Sequence, residues 1–365
     1  MSIKNNKFKR TIVPALVVAV MASLIASPAP AATKLATAPT IRVGYFANLT
    51  HAPALIARQK KLFEKYLGNT KVEYTYFTAG PAAIEAIKGN ALDVAYIGPN
   101  PSISGFLSTD GTLLKIVGGA TSGGASFIVK SSLAPKVASK PTAAEIAALA
   151  GKTFASPQLG GTQDVALRKY LKGNGLTSTI ANITPLANAD TLTQFKAGNI
   201  DGAWVPEPWA TRLILEGSGK VFLDETTLWA KGRFVTTNIV ARKKFLNTYP
   251  GSVKAILQAN YDAIQFLTDT KNTVAAKDLV QAELLAGSGK RLADNVIDAA
   301  WPKLTYTNNP IPESLSANFK AAVKVGQLNG YLESDLKGIY SIKLLNSILR
   351  SKGKTQVVIP SGLIK

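Results

Sequence analysis

Two segments about a hundred residues apart carry the same local pattern, and this repeat limits the architecture more than any other feature. Residues 89–101 read Gly-Asn-Ala-Leu-Asp-Val-Ala-Tyr-Ile-Gly-Pro-Asn-Pro, and residues 198–208 read Gly-Asn-Ile-Asp-Gly-Ala-Trp-Val-Pro-Glu-Pro. Each is the end of a helix, a Gly-Asn turn, an Asp, a short apolar strand ending in an aromatic, and a Pro-rich loop. Lys88 and Lys196 precede the turns, and the apolar helical positions upstream (Ala83, Ile84, Ile87; Leu192, Phe195) correspond. A helix–strand–loop unit used twice predicts two similar α/β lobes, each presenting a loop beyond a strand's carboxyl end, where open α/β sheets bind ligands. Taken alone, Gly-Asn-x-Asp is also a common helix-to-strand turn.

The first residues are expected to form an export leader. Lys4, Lys7, Lys9 and Arg10 form a basic region, Ile12 to Ile25 an apolar run, and Ala29-Pro30-Ala31 a small-x-small cleavage site. The run falls short of the ~20 apolar residues that spanning needs, so residues 1–31 are assigned to a cleaved signal peptide. The 365-residue sequence has no Cys, which excludes disulfides, thiolate catalysis, Cys-ligated zinc and a lipid-modified Cys anchor. The expected location is therefore periplasmic, without a lipid anchor. Removing the four basic residues of the leader lowers the net charge from +20 to +16. The remaining basic residues are scattered and form no nucleic-acid motif; a surplus of this kind favours anionic partners without naming one.

Along the rest of the chain, Ile41–Phe46 reads as a buried strand, followed by the loop Ala47–Thr50 and a helix opened by Pro53. Val72–Phe77 is a second strand, Ala79-Gly80-Pro81 its exit loop, and the helix Ala82–Lys88 leads into the first repeated unit. Strand, loop, helix, strand predicts parallel pairing and right-handed crossovers. After the strand Leu113–Gly118, the run Gly119–Gly124 is either a ligand-side loop or a hinge. Thr142-Ala-Ala-Glu145 is a capping box. The strand Lys152–Ala155 and the loop Gln158–Thr162 precede another helix, and Phe234–Ala241 is the returning strand. The first lobe is expected from residues 41–125 and 236–365, the second from 126–235. The mostly helical final third shows no strand pattern and is assigned to packing around the first lobe.

Enzyme signatures are missing: no nucleophile elbow, phosphate loop or dinucleotide fingerprint occurs, and no metal or cofactor site is expected. The single histidine, His51, has no Cys or His partner and reads as a helix-start or cleft-lining residue rather than a base. Five loops are small, polar or glycine-rich: 48–53, 80–81, 98–102, 121–123 and 160–162. Backbone N–H groups at helix starts, with hydroxyls, make an anion site that needs no Arg. Tyr96 and Trp204 lie inside strands and read as core; Phe46 and Trp209 are candidates for an apolar wall. Glu207 either favours the following helix start or faces the cleft.

The segments Gly-Tyr-Phe-Ala-Asn-Leu-Thr-His-Ala-Pro (44–53), Thr-Ala-Gly-Pro (78–81) and Phe-Lys-Ala-Gly-Asn-Ile-Asp-Gly-Ala-Trp-Val-Pro-Glu-Pro-Trp (195–209) resemble the aliphatic sulfonate, nitrate and taurine family of substrate-binding proteins. The resemblance implies an α/β bilobed periplasmic-binding-protein fold of type II, with a hinge and a helical C-terminal region on the first lobe. It also implies a monomer that hands a small organic anion to the permease of an ATP-binding-cassette (ABC) importer. Carried to matching positions, the ligand residues are Asn48, Thr50, His51, Gly80, Gly98, Pro99, Asn100, Thr121, Ser122, Thr162, Glu207 and Trp209. The expected ligand is an aliphatic sulfonate or taurine, with nitrate, bicarbonate or a thiamine-pyrimidine precursor as alternatives. The differing classes are an exported enzyme acting on such a molecule and a basic surface-binding protein.

Overall fold

The computed structural model describes residues 1–2, 35–176 and 181–364. The leader assigned to residues 1–31 lies outside the described residues apart from its first two positions. Eleven strands are described: β1 Thr40–Tyr45, β2 Lys71–Tyr76, β3 Val94–Ile97, β4 Leu114–Gly123, β5 Ala125–Val129, β6 Thr153–Ser156, β7 Asn182–Pro185, β8 Gly202–Pro206, β9 Lys220–Asp224, β10 Val235–Arg242 and β11 Leu304–Tyr306. They form a six-stranded sheet in the order β11-β4-β10-β3-β1-β2 and a five-stranded sheet in the order β7-β6-β8-β5-β9.

Apart from β11, the two sheets have one design. In each, three strands pair in parallel (β2-β1-β3 and β7-β6-β8), and an antiparallel strand beside the third then pairs with the last. The antiparallel strand is the one that has just crossed from the other lobe: β10 in the first, β5 in the second. The two copies of the sequence repeat are β3 and β8, and they hold the same position in their sheets.

The Asp of each copy does the same work. Asp93 N–H donates to the Arg42 carbonyl and its Oδ2 accepts the Arg42 N–H (both 3.0 Å), pinning the start of β3 to β1. Asp201 does this to Thr153 of β6, at 2.7 and 2.9 Å. Each also ion-pairs a cation of the crossing segment: Asp93 with Arg242 at 2.7 Å, Asp201 with Lys130 at 2.9 Å. Burial opposes the charged form of Asp93, but hydrogen bonds from Arg42 and Arg242 outweigh it and hold the carboxyl below its usual range. These acids sit at the strand starts, the end opposite the loops that follow the strands' carboxyl ends.

The inner strands of each sheet are buried on both faces. One apolar cluster, including Tyr45, Leu55 and Ile256, covers one side of the first sheet; another, including Ile84, Ile103 and Phe319, covers the other. The second sheet lies between a cluster around Phe127 and Trp204 and a smaller one around Phe195 and Val205. Helices on both faces of a mixed sheet give these inner strands their continuously apolar sequences. The capping box at Thr142 is present, with Glu145 N–H donating to Thr142 Oγ1 and the Glu145 carboxylate accepting the Thr142 N–H.

Four expectations are corrected. The run Gly119–Gly124 is no loop: β4 continues to Gly123, flanked by β10 and β11, and the chain turns at Gly123 and Gly124 with φ of +78° and +72°. Those left-handed values suit glycine, so the hinge reading holds for the last two residues only. The final third does contribute a strand, β11, three residues long and too short to show periodicity. It also packs on the second lobe as well as the first, through Pro312–Lys324 against Thr162–Gly173 and Asp294–Ala300 against Trp209–Leu215. The helix after β1 is two helices, Ala52–Gln59 and Leu62–Leu67, broken where Lys61 takes a φ of +52°.

Candidate functional site

The carboxyl ends of the parallel strands of both sheets face one another across a closed cleft. Between them lies a recess of about 30 Å³, roughly two water-sized spheres. Five helices begin on it: Ala52–Gln59, Gly80–Lys88 and Pro99–Leu107 from the first lobe, Thr162–Gly173 and Asn188–Lys196 from the second. None of the side chains lining it carries a formal charge. Three buried lining atoms have no hydrogen-bond partner among the described residues: Thr162 Oγ1, Gln158 Oε1 and Asn188 Oδ1. Helix starts present free N–H groups and a positive partial charge, each stabilising an anion by ~0.3–1 kcal/mol, or up to ~2 when partly buried.

His51 is 2 % exposed and stacks on Phe46 with ring centroids 4.2 Å apart. Its Nδ1 accepts the Phe46 N–H at 3.3 Å, which places the imidazole proton on Nε2. Burial pushes its pKa down to about 3, so the ring is neutral and leaves an uncharged N–H at Nε2.

Of the twelve residues expected at the site, Asn48, Thr50, His51, Gly80, Gly98 and Thr162 line the recess. At Gly98 the lobes nearly touch, since a Cβ there would stand 2.3 Å from Thr162 Oγ1. The other six lie elsewhere. Pro99 and Asn100 are buried in the helix that starts behind Gly98, and Asn100 Nδ2 donates to the Asn318 carbonyl at 3.3 Å. Thr121 and Ser122 lie within β4, where Ser122 Oγ accepts the Phe234 N–H. Glu207 is fully buried and faces away from the recess: Lys303 donates to it at 2.7 Å and Thr211 N–H at 3.1 Å. Its backbone ties the lobes as well, accepting from Leu49 N–H and donating to the Gly124 carbonyl. Trp209 closes the rim, donating from Nε1 to Asn48 Oδ1 at 2.8 Å.

Beyond that rim is a wider vestibule of about 590 Å³, which shares Asn48, Thr78 and Asn188 with the recess. Tyr76, Phe77, Leu192 and Trp209 give it apolar walls, and Lys196, Arg212, Lys290 and Glu216 are its charged groups. Arg212 lies over the Trp209 ring, 4.6 Å from its centroid, and makes two hydrogen bonds to Glu216.

The family model of NMT1-like proteins matches residues 35–281, more than half of the chain. The chain belongs to the NMT1-like family. Among curated relatives, it is 27% identical over 194 residues to a putative aliphatic sulfonates-binding protein of Escherichia coli K12, covering 53% of this chain and 57% of that one. It is also 27% identical over 272 residues to a nitrate/nitrite binding protein of Synechococcus elongatus, covering 67% and 59%. The chain thus spans less than two thirds of the length of either relative. The solved alkanesulfonate-binding protein of Xanthomonas axonopodis pv. citri, bound to MOPS, superposes with a TM-score of 0.65 at 20% identity, covering 80% of this chain and 95% of that one. That likeness establishes the bilobed periplasmic-binding-protein fold.

In this NMT1-like chain, sequence reasoning passed over Gln158, Asn188 and Thr78 at the recess and the cations of the vestibule. A signal existed for Asn188. The repeat extends upstream: β7 answers to β2, so the loop before Asn188 answers to the one before Gly80. The edge strand β7, Asn-Ile-Thr-Pro, is half polar and four residues long, and it goes unrecognised on periodicity.

Proposed function

We propose that the chain is the solute-binding protein of an ABC importer, and that it encloses the oxyanion head of a small organic anion, of the sulfonate class, between its lobes. One observation carries this: helix starts from both lobes converge on an uncharged recess whose buried Thr162 Oγ1, Gln158 Oε1 and Asn188 Oδ1 lack partners among the described residues. Such atoms are costly to leave unpaired, and an oxyanion satisfies the hydroxyl and the backbone donors together. The amides join by turning their NH₂ groups inward, since the O and N positions of Asn188 and Gln158 are a matter of assignment. The names of the curated relatives support the transport role, and the leader supports export to a periplasm. The protein acts as a monomer, with no nucleic acid, and it binds rather than converts its ligand.

A second reading, an inorganic anion such as nitrate, is favoured by the small recess and by the name of one relative. The apolar-walled vestibule argues for an organic ligand. Isothermal titration of residues 32–365 against ethanesulfonate and nitrate separates the two. The expected result is micromolar binding of ethanesulfonate, a raised melting temperature and no loss of ligand over hours. Heat from nitrate alone assigns the inorganic reading, and consumption of the sulfonate makes the protein an enzyme.

A further inference from the structure

The vestibule has a charge pattern that the recess lacks, and it bears on the far end of the ligand. Its single acid, Glu216, is already held by Arg212 through hydrogen bonds of 2.7 and 3.0 Å. Lys196, at the end of a second-lobe helix, and Lys290, from the first lobe, line the same space, and the ammonium group of neither has a hydrogen-bond or ion-pair partner among the described residues. Both act electrostatically on Glu216, holding its carboxyl below the usual range after the larger effect of the Arg212 hydrogen bonds. Three cations against one paired acid leave the vestibule cationic. Glu207, the acid that would have welcomed an ammonium group, is turned into the protein and paired with Lys303.

We propose that the ligand is a two-ended organic anion: an oxyanion head in the recess, a short apolar spacer against Trp209 and Phe77, and a second anionic group, a carboxylate, reaching Lys196 and Lys290. This deepens the sulfonate reading and rests on it. The two lysines come from opposite lobes, so a distal carboxylate neutralises both at once and favours the closed arrangement. A ligand ending in an ammonium meets like charge there, which penalises the taurine type.

The test is a matched series titrated calorimetrically into the chain without its leader, in low salt and in 0.5 M NaCl. Ethanesulfonate carries one charge, sulfopropionate adds the carboxylate and taurine adds an ammonium. Sulfopropionate is expected to bind at least tenfold more tightly than ethanesulfonate in low salt, with the ratio falling in high salt as exposed lysines are screened. Taurine is expected to be the weakest of the three. In the double variant Lys196→Ala/Lys290→Ala, whose melting temperature without ligand checks the fold, the ratio should fall to within threefold. Taurine binding as tightly as sulfopropionate, or a ratio that survives in the double variant, overturns the proposal and leaves the sulfonate reading intact. No binding by any of the three overturns both.

Discussion

At Gly98 and Thr162 a single hydrogen atom in place of a methyl group sets how closely the lobes approach. Gly98→Ala would drive a Cβ into Thr162 Oγ1, and nothing behind the glycine in its own lobe needs to move. The expected outcome is at least a tenfold loss in ligand affinity by calorimetry, with a ligand-free melting temperature within ~2 °C of wild type. A large drop in melting temperature with retained affinity would place Gly98 among the core residues instead. His51 makes a prediction of a different kind. The imidazole titrates near 6.5 in the unfolded chain and near 3 when folded, so its contribution to stability is complete above 6.5 and falls as acid protonates the unfolded state. The loss is about 1.4 kcal/mol per pH unit, or ~2 kcal/mol between pH 7 and 5. Glu225, buried against two Trp indoles and pushed up to about 7 by burial, has the opposite sign: its contribution is complete below 4.5 and is lost as the pH rises through 7. Urea unfolding of wild type and His51→Asn at both pH values isolates the imidazole, because Glu225 acts equally in each. Identical pH dependence in the two proteins would mean that His51 is not held neutral.

At the scale of elements, the acids of the repeat have a structural part. Asp93 and Asp201 sit in the most conspicuous motif of the chain and anchor strands. Asp93, whose side chain is 2 % exposed and paired with two arginines, should cost about 3 kcal/mol or more when changed to Ala, since it leaves both cations without their partner. Asp201, at 23 % exposure with a lysine, should cost roughly 1–2 kcal/mol. Equal losses by denaturant unfolding would show that burial does not distinguish the two copies. The pair also shows what sequence makes legible. Most strands other than β7 and β11, the capping box, the crossing β10 and the small residues that line the recess follow from patterning and turn chemistry, which are local. Thr121, Ser122 and Glu207 look the same locally as the residues that do line it. What sends them elsewhere is the pairing of β4 with a strand nearly 200 residues away and a lysine almost 100 residues on. Both are products of topology that no window of sequence contains.

For the whole molecule, polar contacts between the lobes add to the packing of C-terminal helices on the second lobe to hold the cleft closed. Lys303 of the C-terminal region reaches across to Glu207, Gln327 donates to Asp164 at 2.6 Å, and Trp209 bonds Asn48. Lys303→Ala strands a fully buried carboxylate at the lobe boundary, which is strongly destabilising unless the lobes part and water reaches it. Small-angle scattering should therefore give a larger radius of gyration for ligand-free Lys303→Ala than for wild type, with the difference removed by saturating ligand. An unchanged radius would show that the ion pair does not hold the lobes together. The exchange of strands has a separate bearing on how the chain acquires its structure. The second sheet is complete within residues 125–224, so it can form from an unbroken stretch. The first cannot, because β3 and β4 do not pair with each other; both pair with β10, which ends at Arg242. A chain made from its N-terminus therefore carries an unfinished first lobe until Arg242 has been added, and the last half to be sealed is the half that began first.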